Sequence, residues 1–276
     1  PMKPTLFCLL LLCLPIQAQQ LVFGQIHDAE FNTPLPYVNI GIPDQGIGTV
    51  SDEEGYYQLE IPDNLSSASI LFSMVGFASE ERSIASLEQG QEKLLSLKMH
   101  SQVTALTEVV VTDAKWELIT IGNNKVSKLI TAGFTSNNLG NEIAQFVRVK
   151  KNRPTLLKKF WLSIAENTIQ DVILRFNVYT EVEGFPGENI LTEPIYVSLP
   201  NAAETIIVDL APYDIYIEDD FFFSIEWIED LGSDNLLFSA GVFGKAVYAR
   251  SASQSKWVRQ KALSIGMGVE LLQKGN

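Results

Sequence analysis

The sequence is short of the residues from which reactive centres are usually built. Of its 276 residues, two are cysteine and two are histidine. Cys8 and Cys13 both fall within residues 1–18, which read as a secretory signal peptide. Lys3 supplies the positive start, Leu6 to Leu14 the apolar run, Pro15 the break, and Ala18 a small residue at the cleavage position. Cys8 follows Phe7 and Cys13 follows Leu12, so neither has the small preceding residue of a lipoprotein box. The apolar run falls well short of the roughly 20 residues needed to cross a bilayer, so no transmembrane segment is expected after signal removal. A mature chain without cysteine has no disulfide, thiolate metal site or cysteine nucleophile.

Other absences narrow the chemistry further. His27 and His100 are far apart and no HExxH motif occurs, so no metal or other cofactor is expected. The sequence has no GxSxG, GxGxxG or P-loop, and no histidine follows residue 100. A serine triad in the second half is therefore excluded, and the chain reads as no enzyme. Basic residues are also scarce, 20 against 33 acidic, for a net charge of −13. Such a surface keeps a protein soluble and repels phosphate backbones and anionic lipid, so no nucleic-acid partner is expected.

Short extended runs are what the sequence does have. Leu21–Ile26, Tyr37–Ile42, Tyr56–Ile61, Ala68–Met74, Glu80–Ile84, Leu94–Met99 and Glu108–Thr112 read as seven strands separated by turn residues. With no helical periodicity between them, they predict a small β-sandwich over 21–113. Gly55 fits a turn position of positive φ, and Asp52 fits an Asx turn that accepts backbone amides. Val38 and Ile40, alternating with Asn39 and Gly41, predict one buried face. Asp52-Glu53-Glu54 lacks the alternating ligands of a calcium loop and reads as a solvated turn.

The order of these motifs also resembles a known family. Val22-Phe23-Gly24-Gln25-Ile26, Pro34-Leu35-Pro36-Tyr37-Val38-Asn39-Ile40 and Gly48-Thr49-Val50-Ser51-Asp52-Glu53-Glu54-Gly55-Tyr56-Tyr57 follow one another at the spacing of the carboxypeptidase-D regulatory-like domain, a transthyretin-type sandwich. Phe72-Ser73-Met74-Val75-Gly76-Phe77 is similar to that family's next strand and turn. Leu106-Thr107-Glu108-Val109-Val110-Val111-Thr112 resembles the segment after this domain in TonB-dependent receptors of Gram-negative bacteria. The resemblance implies a supporting domain with no chemistry of its own. Roughly 160 residues come after it, without the many lipid-facing hairpins of a receptor barrel, so a receptor is not expected.

Residues 114–140, with Trp116 and the Gly122-Asn123-Asn124 turn signal, read as a linker that packs on the second domain. Over 141–276 nine or ten further strand signals predict a jelly-roll-like β-sandwich, with Glu183 to Glu188 as a hairpin loop. Period two places Phe221, Phe223, Ile225 and Trp227 on one face of their strand, and Phe222, Ser224, Glu226 and Ile228 on the other. Leu174, Phe176 and Val178 likewise oppose Arg175, Asn177 and Tyr179. The apolar sets belong in the core. Arg175, Asn177, Tyr179 and Glu226 are thereby nominated as an outward, partly polar, ligand-binding face. Trp161, Trp227 and Trp257 are either platform rings or core residues.

Three functions remain in view. The leading one is an exported binding or adhesion-type protein of the periplasm, outer-membrane surface or medium. Its partner would be a glycan or an envelope protein, with the second sandwich as recognition module. The alternative is a structural or docking component of a cell-envelope complex, and the third is an unrecognised hydrolase using a carboxylate pair such as Glu226/Glu229 or Asp219/Asp220. An exposed groove holding two or more aromatic rings favours the first, and a broad apolar patch favours the second.

Overall fold

The computed structural model describes residues 19–87, 92–102, 115–123, 129–134, 138–150, 153–169, 172–202, 204–230, 232, 235–242, 245–261 and 263–275. The signal peptide, both cysteines and the 106–112 segment lie outside the described residues.

The chain is all-β, in two sandwiches. The first stacks two four-stranded sheets. One runs Tyr56–Pro62, Gln19–Asp28, Glu92–Leu94, with Leu97–Met99 also paired to Gln19–Asp28. The other runs Ile47–Val50, Asn39–Ile42, Ser69–Ser73, Glu80–Ser83. Eight strands are described here: six of the seven expected fall among the described residues, Ile47–Val50 adds a hairpin arm, and the 92–99 stretch is split in two. Alternation works as read: Tyr57, Leu59 and Ile61 are buried with Val22, Ile26, Ile40 and Phe72, while Tyr56, Gln58 and Glu60 point outward. Gly55 has φ +78°, and Asp52 Oδ1 accepts the amides of Glu54 and Tyr56 at 3.0 and 2.8 Å.

The second sandwich has an eight-stranded and a seven-stranded sheet. Within the first of these, Leu236–Val242, Thr155–Asn167, Met267–Lys274 and Trp116–Gly122 lie side by side, so the strand after the first domain completes a sheet of the second. The other sheet runs Phe185–Asn189, Val172–Val182, Phe221–Trp227, Glu142–Val147, Val247–Arg250, Val258–Gln260. Its inner face supplies Leu174, Phe176, Val178, Phe221, Phe223, Ile225 and Trp227 to a core shared with Phe160, Leu162, Phe238 and Val269. The expected hairpin loop is tighter than the sequence suggests. Phe185–Asn189 is itself a strand, and Glu183 and Gly184, both at positive φ, make the two-residue turn that suits strand twist.

A buried charge row between the two sandwiches

The nominated polar face exists, but it is not open. Register places Arg175 opposite Glu226, Glu226 opposite Glu142, and Glu142 opposite Arg250. Four neighbouring strands therefore carry a row of charges, plus, minus, minus, plus, on the sheet face away from the core. All four residues are buried. The Arg175 guanidinium reaches Glu226 Oε2 at 2.9 Å from both Nε and Nη2. Arg250 Nη2 contacts Glu142 Oε2 at 2.6 Å and Glu226 Oε1 at 3.4 Å. Asn177 Nδ2 donates to Glu142 at 3.0 Å and to Glu226 at 2.9 Å, joining the two carboxylates. Tyr179 donates to Glu142 at 2.9 Å, and the Ser224 hydroxyl donates to the same carboxylate. Burial pushes the Glu142 carboxyl above its usual range, and Arg250 pulls it back. Burial works against the Arg175 cation, but Glu226 outweighs it and holds the guanidinium above its ordinary value.

The first sandwich covers this row. Arg175 donates to the Tyr37 carbonyl at 2.6 Å and to Asn39 Oδ1 at 2.7 Å, and Ser253 donates to the same Asn39 oxygen at 2.9 Å. Tyr37, Val50 and Ile228 form a small apolar cluster across the junction, and the Tyr37 ring lies 5.4 Å from that of Tyr196. The 251–257 segment closes the remaining side, bringing the Trp257 ring 5.1 Å from the Arg250 guanidinium. The expectation of an outward ligand face at Arg175, Asn177, Tyr179 and Glu226 is corrected on this point: period two assigned the right residues to one face, and a second domain buries that face. Glu142 and Arg250 were missed. Their signal was a charge inside an otherwise apolar strand, visible in Asn141-Glu142-Ile143-Ala144 and Val247-Tyr248-Ala249-Arg250.

The junction is tight elsewhere as well. Gly41 and Gly48 are cross-strand partners beneath Ser253, and a Cβ at 48 would lie 2.2 Å from the Ser253 carbonyl oxygen. Replacing Gly48 with alanine must move backbone, so it lowers the urea midpoint by an amount equivalent to about 1–3 kcal/mol. A wild-type midpoint would show that the junction yields freely.

Neither nominated acid pair forms a reactive site. Glu226 is buried, and Glu229 accepts from the Tyr37 hydroxyl at 3.0 Å and the Ile173 amide at 2.9 Å. Asp220 accepts the Val149 amide at 2.9 Å, which makes it a loop anchor. Among the described residues no group of three or more His, Cys, Asp or Glu is placed to hold a metal. Trp227 is a core residue, while Trp161 and Trp257 are half-buried.

A groove of about 1390 Å³ remains beside the junction. Its floor is the outer face of the Tyr56–Pro62/Gln19–Asp28 sheet, where Phe23 lies between Gln58 and Leu94 and Gln25 lies beside Tyr56. Tyr56 and Leu94 are 54% and 70% exposed. Asp52, Glu53, Glu60, Glu229 and Asp230 supply carboxylates, and none of the described lining residues is basic.

An all-β chain with a small sandwich docked on a larger one, and a groove at their junction, is the class defined by this fold and site. Residues 22–111 match the CarboxypepD_reg-like domain family, so the first sandwich is a carboxypeptidase-D regulatory-like domain. The chain is 30% identical over 150 residues to the TonB-dependent receptor P3 of Formosa agariphila, covering 54% of this chain and 13% of that receptor. It thus spans a small part of that relative's length. Among solved structures, that of the infectious bursal disease virus Gx strain aligns with 93% of this chain and 64% of its own at 9% identity and a TM-score of 0.31. The Gt strain structure aligns with a TM-score of 0.23 at 8% identity, over 92% of this chain and 63% of its own. At these scores neither alignment bears on fold or function.

Proposed function

We propose that this protein is a non-catalytic, exported cell-envelope protein that binds an uncharged glycan in the groove beside its domain junction. The observation that carries the reading is the groove's lining: exposed Tyr56 and half-buried Phe23, two flanking glutamine amides, and carboxylates without a described basic residue. Aromatic rings stack on the apolar faces of sugars, and amides and carboxylates take their hydroxyls. The acidic lining repels sulfated and uronate chains. The receptor relative is a cell-envelope type of protein and supports that location.

Titration of neutral hexasaccharides (cello-, xylo-, laminari- and malto-series) into the full chain tests the proposal. Tyr56→Ala is expected to weaken the best of them by about tenfold, the scale of one lost stacking contact. Capture of an oligolysine peptide in place of every sugar would overturn the reading in favour of a docking role for a basic protein segment. So would equal affinity of wild type and Tyr56→Ala for the sugars.

A further inference from the structure

The open face of the eight-stranded sheet, in the second sandwich, carries a different arrangement. Register aligns Ile207, Trp161, Gly268 and Gly122 in one row across four strands. The Trp161 ring extends sideways over both glycines: a Cβ at 268 would be 2.2 Å from its Cζ2, and one at 122 would be 3.0 Å away. The space that side chains would fill on two strands is thus given to one half-buried indole. Its Nε1 is buried without a hydrogen-bond partner among the described residues, so the ring is held by contact alone. Ile207, its cross-strand neighbour, is 67% exposed.

Polar rows flank this ring on both sides. Asp209, Lys159, Glu270 and Thr120 form the next row, with Lys159 and Glu270 ion-paired at 3.2 Å. On the other side the exposed Thr205 shares a hydrogen bond of 3.0 Å with the buried Ser163. Same-face rows are spaced by two residues, about 6.6 Å. A sugar ring stacked on the indole would bring its equatorial hydroxyls towards both rows.

We infer that this face is a second glycan site, with Trp161 as the stacking platform and the Asp209–Lys159–Glu270–Thr120 row as the hydroxyl partners. The sheet face is broad and the indole is laid along it, so the fitting ligand is a flat, uncharged β-1,4-linked chain. The site is separate from the groove and does not rest on it.

The test uses the full chain carrying Tyr56→Ala, which removes the groove's stacking ring, with cellohexaose and xylohexaose as probes. Trp161→Ala should weaken binding by about tenfold or more, with Trp161→Phe in between. Glu270→Ala, at a half-buried position outside the hydrophobic core, should weaken it by about threefold. Sugar addition should change tryptophan emission in the parent and not in Trp161→Phe. Affinities equal to the parent's in both Trp161→Phe and Glu270→Ala would overturn the inference, as would no sugar binding in the parent. A parent that sediments as a dimer and becomes monomeric with Ile207→Asp would also overturn it, since a second copy would then cover the face.

Discussion

Arg175→Ala is expected to destabilise the protein by about 3–5 kcal/mol, the usual consequence of removing one partner of a buried ion pair. The cost has two parts. Glu226 stays buried with only the long 3.4 Å contact to Arg250 and the Asn177 amide, while the Tyr37 carbonyl and Asn39 Oδ1 each lose a donor from the other sandwich. The first part weakens the second sandwich and the second part weakens the junction. Calorimetry should show one transition for the wild type and two for the variant, as the small sandwich ceases to melt with the large one. Asn39→Ala separates the parts: it leaves the charge row intact, so it should cost about 1–2 kcal/mol and act on the junction alone. A wild-type urea midpoint for Arg175→Ala would mean that the row contributes little net stability, as happens when desolvation cancels attraction.

Alkaline pH is expected to unfold the protein steeply. Burial raises the Tyr57 and Tyr179 phenols well above their usual value, and the Glu142 charge adds to the effect at Tyr179. Tyr57 donates to the Leu95 carbonyl at 2.6 Å, and Tyr179 donates to Glu142. Both are acids whose pKa in the folded state exceeds that in the unfolded state. Their contribution is therefore complete below the unfolded value of about 10 and is lost as pH rises towards the folded value. Each phenol adds a slope of about 1.4 kcal/mol per pH unit in that window, or about 3 for the two. Urea midpoints taken from about pH 9 to 11 should fall accordingly, and the phenolate absorbance that the wild type gains over a variant lacking both hydroxyls should appear together with unfolding. The Tyr57→Phe/Tyr179→Phe double variant starts less stable but loses stability with a flatter slope. An unchanged slope would show that these hydroxyls ionise in the folded protein.

Much of the architecture was legible in single residues. The Asp52 and Gly55 turn, the Tyr57-Leu59-Ile61 face and the Phe221-Phe223-Ile225-Trp227 face need only local geometry and period two. The resemblance of residues 22–111 to a known domain rested on the same turn and strand signals. The chemistry of the junction was less legible. Period two put Arg175, Asn177, Tyr179 and Glu226 on one face, yet it says nothing about what lies over that face. The partners on neighbouring strands, Glu142 and Arg250, depend on register between segments far apart in the chain. Trp161 posed the same problem, since the glycines beneath its ring come from residues 122 and 268.

Local pattern and composition suffice to show that the chain forms extended strands, which residues face together on each strand, and that a reactive cluster of cysteine or histidine was not on offer. Those properties follow from side-chain alternation and composition, which are local. That a face bearing two arginines and two glutamates is shut between two sandwiches, with the open aromatic surfaces elsewhere, emerges only from the folded arrangement. Strand register and domain docking set that outcome, because a charge can be buried only where distant segments bring it a partner.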